Sequence, residues 1–240
     1  LVALHWFQAT TGRLLETTST SGVATDLVAS PDGRTLYLAS ADNNAWVVHA
    51  SLDHLLIGHK GAATGVAFSN DGRFVFSTGI DNGLRQWDTT TGTATRTYSG
   101  SNKPLLKLAV SADGTRLAAA TNDNRVLGWP LRADAAKTAV ASDLAITTPA
   151  AIADLAINDD GTVIATALTD NAVSLWHTGA SPGTSTLLER IAGHTSTLRS
   201  IALSANARQL VSGANDRFVF QFHPAVQTAF TAHSAPIRSA

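Results

Sequence analysis

Short stretches in which apolar and polar residues alternate recur along the chain, each running into a small polar turn. Leu27 and Ala29, Val66 and Phe68, Leu108 and Val110, Leu155 and Ile157, and Ile201 and Leu203 are the apolar pairs that precede those turns. A period of two places successive side chains on opposite faces of a strand, whereas a helix needs a period near 3.6. The turns align with one another: SPDG at 30–33, SNDG at 69–72, SADG at 111–114, NDDG at 158–161 and SANA at 204–207. A second short apolar run follows each, as in residues 73–77 and 162–166. Ten residues beyond the third position of each turn stands an aspartate: Asp42, Asp81, Asp123, Asp170 and Asp216. The next residue is Asn43, Asn82, Asn124, Asn171 and then Arg217. Asp and Asn bond the backbone just ahead and tolerate left-handed φ, so a tight turn is predicted here. A third strand follows, residues 83–87 for example, and a turn such as 89–92 leads to a fourth. No segment predicts a substantial helix.

The interior spacing of the unit is fixed, and only one connection varies. From each aspartate to the start of the next unit there are 17, 20, 25, 24 and 17 residues. A repeat of roughly 40 residues with four strands reads as a propeller blade. The motifs then carry a family resemblance. GH at 58–59, SNDG at 69–72, Asp81 and WD at 87–88 together resemble a WD40 repeat. GH recurs at 193–194, and Ala232-His233 opens another unit.

The resemblance implies an all-β fold, a β-propeller of four-stranded WD40-like blades, with five complete blades plus partial blades at both ends. Residues 1–19 are expected to be the outer half of a blade; 20–58, 59–100, 101–147, 148–193 and 194–232 complete blades; and 233–240 the start of the next. The chain contains no methionine and begins at Leu1, which together with the partial units suggests part of one propeller in a longer protein. Such an excerpt is not expected to close a propeller unaided, and its open strand edges would invite aggregation.

Within the 59–88 blade the resemblance implies a structural tetrad of His59, Ser77, Asp81 and Trp87, hydrogen-bonded in series. The physics agrees: a buried carboxylate has to be paired and a buried indole N–H needs an acceptor. His194 and Asp216 keep two members, with Phe222 in the tryptophan position. The units that start at Thr20, Ser101 and Thr148 lack the histidine but keep the turn residues Asp42, Asp123 and Asp170. Trp6, Trp87, Trp129 and Trp176 share one register and are expected to pack between blades, with Trp46 two positions out of register compensating for Val48.

Composition narrows the function. With 17 Lys and Arg against 18 Asp and Glu, the formal charge is -1, and charged residues are only 15% of the 240. That balance lacks the basic footprint of a nucleic-acid binder and the polybasic patch of a membrane-surface protein. No apolar run reaches the length of a membrane span. Without cysteine there is no disulfide, thiolate nucleophile or cysteine-based zinc site. No G-x-S-x-G, HExxH, GxGxxG or P-loop is present. Asp159-Asp160 reads as turn chemistry rather than a paired acid. His49, His177 and His223 stand where the family has the aspartate of WD. Equivalent positions on neighbouring blades should be roughly 10 Å apart, too far for a shared metal with ligands at about 2 Å. Neither metal nor cofactor is expected.

These observations point to a non-catalytic β-propeller interaction scaffold that binds protein partners through its loop faces. The alternative is a structural building block of a larger assembly or cell-surface array, whose partners are copies of itself. A propeller hydrolase would need non-repeating acids, Asn and His on the innermost strands, which read as Ala, Thr, Ser, Val and Leu. The aspartate-turn face carries Ile80, Asn122, Thr169 and Asn215 and is the expected partner face. The longest insertions, 131–146 and 178–191, are expected as loops at the opposite end, on adjacent blades, where they could make a secondary contact.

Overall fold

A computed structural model of the chain describes residues 2–7, 14–20, 24–30, 36–41, 45–48, 55–131, 139–179 and 184–224. Every regular element among them is a β-strand. Strands β1 (Val2–Phe7) and β2 (Leu14–Thr20) pair antiparallel. The next sheet is β3 (Ala24–Ala29), β4 (Leu36–Ser40), β5 (Ala45–Val48) and β6 (Leu55–Leu56), in that order. It is followed by β7 (Ala63–Phe68), β8 (Phe74–Gly79), β9 (Leu84–Asp88) and β10 (Ala94–Ser99), again a meander. Then come β11 (Leu105–Val110), β12 (Arg116–Thr121) and β13 (Arg125–Pro130), a short strand β14 (Ala139–Ala141), and β15 (Leu144–Thr147), which completes the sheet on β13. The fifth sheet is β16 (Ile152–Ile157), β17 (Val163–Leu168), β18 (Ala172–His177) and β19 (Thr186–Ala192). Strands β20 (Leu198–Leu203), β21 (Leu210–Ala214) and β22 (Val219–Phe222) follow. The fold is all-β, built of WD40-like propeller blades.

Two kinds of turn shape each blade. In the first, the Ser69 hydroxyl donates to Asp71 at 2.6 Å and accepts the Phe74 N–H at 3.0 Å. The chain reverses through Gly72 at φ 69°, and Gly114 and Gly161 repeat it at 66° and 71°. Left-handed φ is open to glycine because it has no Cβ. The second turn bends at Asn82, Asn124 and Asn171, with φ between 61° and 68°. Asn is the side-chain-bearing residue that best tolerates that region. The 198–222 sheet breaks both rules, with Ala207 at φ 56° and Arg217 at φ 71°.

Neighbouring blades are fastened through the innermost strands, which lie side by side in the order β3, β7, β11, β16, β20. Each innermost strand has a register shift near its start, between Ala63 and Gly65 in β7 and at the matching place in the others. The bulged Thr25 and Thr64 donate to the carbonyls of Ala63 and Leu105 on the next blade, at 2.8 and 2.5 Å. The Asp26 and Asp154 carboxylates accept the N–H groups of Val66 and Ile201, at 3.1 and 2.9 Å. The innermost strands therefore carry acids as well as the small and apolar residues read from the sequence. Asp26 and Asp154 stitch one blade to the next.

The rest of the fastening is apolar. Trp87 is buried with Tyr37 and Leu56 of the preceding sheet. Trp129 is buried with Phe76, Leu84 and Tyr98, and Trp176 packs beside Leu144 and Ile146. The side chains of Trp6 and Trp46 lie outside the described residues, as do Asp42 and His49.

Both long insertions are partly strand. Strand β14 runs parallel to β10, pairing Thr97 with Ala139, Tyr98 with Val140 and Ser99 with Ala141. It adds a fifth strand to the outer edge of the preceding blade, and Val140 is buried against that blade's core. The stretch 178–191 contains most of β19. Neither stretch shows clean alternation of apolar and polar residues, which is why both read as loops. Covering β10 also removes a free sheet edge.

Replacing Ala207 with Gly should relieve the left-handed strain and stabilise the protein by about 1 kcal/mol. Denaturant titration measures this, and the same change at an exposed strand residue such as Val219 should destabilise.

Candidate functional site

Asp81 sits in the β8–β9 turn, where its carboxylate faces back toward the chain entering β7. His59 Nδ1 lies 2.9 Å from Asp81 Oδ1, and His59 Nε2 lies 2.7 Å from the Ser77 hydroxyl. The Trp87 indole N–H donates to the same hydroxyl at 2.8 Å. We assign the proton to Nδ1, toward the Asp81 carboxylate, although the Arg85 guanidinium also lies 2.7 Å from that nitrogen. Trp87 donates to Ser77, Ser77 donates to His59, and His59 donates to Asp81. Asp81 also accepts the N–H groups of Lys60 at 2.8 Å and Gly83 at 3.1 Å, and Arg85 approaches its other oxygen at 3.1 Å. Gly79 makes room for the pair, since a Cβ there would come within 2.6 Å of His59 Nδ1.

The electrostatics follow from burial and partners. Burial, with the Arg85 guanidinium at its edge, pushes His59 below its ordinary 6.5 and keeps the ring neutral. Burial alone would raise Asp81. The Lys60 N–H, His59 and Arg85 outweigh it and hold the carboxyl at about 2. A neutral histidine and a paired carboxylate make a rigid strut. The Ser77 hydroxyl is fully buried and held between His59 and Trp87, which leaves no room beside it for a reacting atom.

The other blades vary the strut. His194 contacts Asp216 at 2.8 Å and Ser212 at 2.8 Å, and Asp216 accepts the Thr195 and Phe218 N–H groups. Ser212 was not singled out in the sequence, although it stands four residues before its aspartate, as Ser77 does. In the blade that begins near Thr148, Trp176 donates to Thr166 at 3.1 Å, and Asp170 pairs with Arg190 at 2.6 Å. Thr166 occupies that same position. In the 105–147 sheet the hydroxyl is replaced by Ala119, and Trp129 donates instead to the Ser99 carbonyl of the preceding blade at 2.7 Å. The Thr121 hydroxyl reaches Asp123 at 2.5 Å in place of a histidine.

The residues just before the turn aspartates share one end of the blades. The backbone N–H groups of Ile80, Asn122, Thr169 and Asn215 donate to the carbonyls of Ala62, Pro104, Ala151 and Thr197, at 2.9–3.0 Å. Their main chains are pinned while their side chains are exposed. Ile80 is 49% exposed, and Phe218, in the Asp216 turn, is exposed as well. Asn215 accepts from Arg199 at 2.9 Å. The opposite end holds the glycine turns, joined across blades from Asp113 N–H to Asp159 O and from Asp159 N–H to Ala205 O. His177 Nδ1 accepts the Gly179 N–H in its own turn. Among the described residues no cluster of three His, Cys, Asp or Glu could hold a metal, and no helix is long and apolar enough to cross a membrane.

Comparison with known proteins agrees with this construction. The model for the WD domain, G-beta repeat, matches residues 50–88, 92–129, 145–177 and 185–223, more than half of the chain. The COMPASS component SWD3 of Saccharomyces cerevisiae is 30% identical over 87 residues, covering 35% of this chain and 28% of that protein. The ribosome biogenesis protein YTM1 of Laccaria bicolor is 32% identical over 98 residues, 40% of this chain and 22% of that one. A WD repeat-containing protein 26 homolog of Arabidopsis thaliana is 27% identical over 133 residues, 53% of this chain and 22% of its own. The chain thus spans about a quarter of the length of these relatives.

Asp81→Ala strands His59 and the Lys60 N–H, and should lower stability by about 1–3 kcal/mol. Asp123→Ala, whose partner Thr121 can turn to the Arg125 carbonyl, should lower it less. Equal losses in denaturant titrations would show that the histidine relay adds nothing. The depressed His59 also sets a pH dependence. Its neutral form is favoured by folding, so its contribution is whole above pH 6.5 and declines as acid protonates the unfolded chain. The melting temperature should therefore fall between about pH 7 and about pH 5, and His59→Gln should flatten that fall.

Proposed function

The chain belongs to the WD40, G-beta repeat, family, and from that premise we propose that it is a non-catalytic interaction scaffold that binds protein partners. The observation that carries this reading is the aspartate-turn end of the blades. One side chain per blade is exposed there on a backbone whose N–H is tied down. A surface fixed before the partner arrives avoids the ordering entropy that weakens binding by mobile loops. The buried polar groups beneath it are committed to struts and turns, which is the arrangement of a frame. The names of the relatives fit a role within assemblies: one is a COMPASS component and another a ribosome biogenesis protein. A role as a building block that contacts copies of itself would use the same faces.

We place the main partner on the end that carries Ile80, Asn122, Thr169 and Asn215. Ile80 is its apolar anchor, since interface energy concentrates in a few desolvated residues. A secondary contact falls at the opposite end, near 131–146 and 178–191.

Ile80→Asp should weaken partner capture from an extract of the source organism at least ~tenfold, as a buried charge does at a contact centre, with no change in melting temperature. Shortening the 132–138 and 180–183 segments should leave capture intact. The reverse pattern would put the main partner on the opposite end.

A further inference from the structure

The polar ties between innermost strands are not repeated at every junction. In β3, β7, β11, β16 and β20 the position just after the register shift is Asp26, Gly65, Lys107, Asp154 and Ser200. The position before it is Thr25, Thr64, Leu106, Ala153 and Arg199. Between β3 and β7 both ties are made, from Thr25 to the Ala63 carbonyl and from the Val66 N–H to Asp26. Between β7 and β11 Thr64 donates to Leu105, and Gly65 brings no acceptor. Between β16 and β20 Asp154 accepts the Ile201 N–H, and Ala153 brings no donor. Between β11 and β16 neither tie is made, because Leu106 has no hydroxyl and an ammonium cannot accept.

That junction leaves a backbone donor without its acceptor. Val66 and Ile201 turn their N–H groups toward the preceding blade, where an aspartate receives them. Leu155 stands in the same register, opposite Thr166 as Val66 stands opposite Ser77 and Ile201 opposite Ser212. Its N–H therefore points the same way, toward the side chain at position 107. Gly65 confirms that this position faces the next strand, since a Cβ there would lie 3.4 Å from the Leu108 nitrogen. Leu155 is only 6% exposed, and an unpaired N–H in such surroundings is costly.

The side chain that faces it has the opposite charge to the usual one. Lys107 is half-buried and, among the described residues, makes neither a hydrogen bond nor an ion pair. Asp154 forms no ion pair with it, being turned to the Ile201 N–H on the far side of β16. A backbone N–H and an ammonium thus stand together at the place where two other junctions hold a carboxylate. A carboxylate is the group that accepts from both, with the ammonium as its counter-ion.

We propose that the β11–β16 junction is a receptor for a glutamate or aspartate side chain of a partner, which fills from outside the place that Asp26 and Asp154 fill from within. The carboxylate accepts from the Leu155 N–H and from Lys107 Nζ. The site lies at the start of the innermost strands, the end at which Ile80 bonds to Ala62 and Thr169 to Ala151. For its partner the proposal rests on the placing of the main contact at that end, and it gives that contact a chemistry.

The test uses the full chain and the blocked pentapeptide Ac-Gly-Gly-Glu-Gly-Gly-NH2, with counterparts carrying Gln or Lys at the centre. NMR titration of a sample labelled with 15N-leucine follows the Leu155 backbone amide, identified as the signal lost in Leu155→Ile. The glutamate peptide should move that amide proton downfield saturably and bind about tenfold more tightly than the glutamine peptide, as a charge-assisted contact does. The capped amides of Val66 and Ile201, followed in a sample labelled at Val and Ile, should stay in place. Lys107→Met should remove the preference for glutamate. Lys107→Asp gives this junction the residue that two others carry. It should move the Leu155 amide proton downfield with no peptide present, raise the melting temperature and abolish peptide binding. Equal binding of the glutamate and glutamine peptides, tighter binding of the lysine peptide, a Leu155 amide that no peptide moves, or a Lys107→Asp chain that still prefers glutamate would each overturn the proposal. Ile80→Asp alters none of these readouts, so the placing of the main partner and the chemistry of this site fail separately.

Discussion

A single four-stranded sheet cannot bury both of its faces, and everything else in this molecule depends on that. Each sheet needs another laid against it, so the stable unit is a stack. The third strand supplies the largest group for the contact. Trp87, Trp129 and Trp176 each sit against the preceding sheet. A large aromatic at a sheet junction also brings an N–H that must be satisfied in a dry place. The Ser77 hydroxyl, the Thr166 hydroxyl and the Ser99 carbonyl are three solutions to that one requirement. The histidine relay extends the first solution outward, fixing the aspartate turn to the core through three side chains.

How much of this could be read from the sequence follows from where each constraint acts. The turns were legible because they are local. Gly72, Gly114, Gly161, Asn82, Asn124 and Asn171 take left-handed φ within their own few residues, and the strands between them inherit a fixed length. The four-stranded blade came from that register. Features that need a distant partner left little trace. Ser212 and Thr166 look ordinary until His194 and Trp176 arrive beside them. Asp26 and Asp154 matter because the next blade presents a backbone N–H to each. Strand β14 is three residues that become a strand only because the edge of β10 lies open to them.

The two ends of the blades differ in kind. At the aspartate-turn end, backbone groups are tied within each blade, and the exposed side chains vary from Ile to Asn to Thr. At the glycine-turn end the turns bond to one another across blades, from Asp113 to Asp159 and on to Ala205. That chain of bonds fixes the spacing of the 111–114, 158–161 and 204–207 turns relative to one another. The first end therefore offers a row of separate side chains, and the second a set of turns tied into one edge.

Loss of the histidine has a consequence deeper in the fold. In the blade that starts near Thr148, the position of Arg85 is taken by Ser174, and its hydroxyl is buried with no partner among the described residues. In the 63–99 blade the matching Arg85 reaches Asp81 and supports the relay. Once histidine and arginine are both absent, the aspartate turns outward to Arg190 and the hydroxyl is left behind. That blade compensates with apolar packing, since β17 is buried along its whole length from Val163 to Leu168. The stack thus contains blades held chiefly by polar struts and blades held chiefly by packing. Acid should loosen the first kind, because its strut depends on a neutral imidazole and an ionised carboxylate. The second kind has neither group in its core, and should hold the stack together while its neighbours weaken.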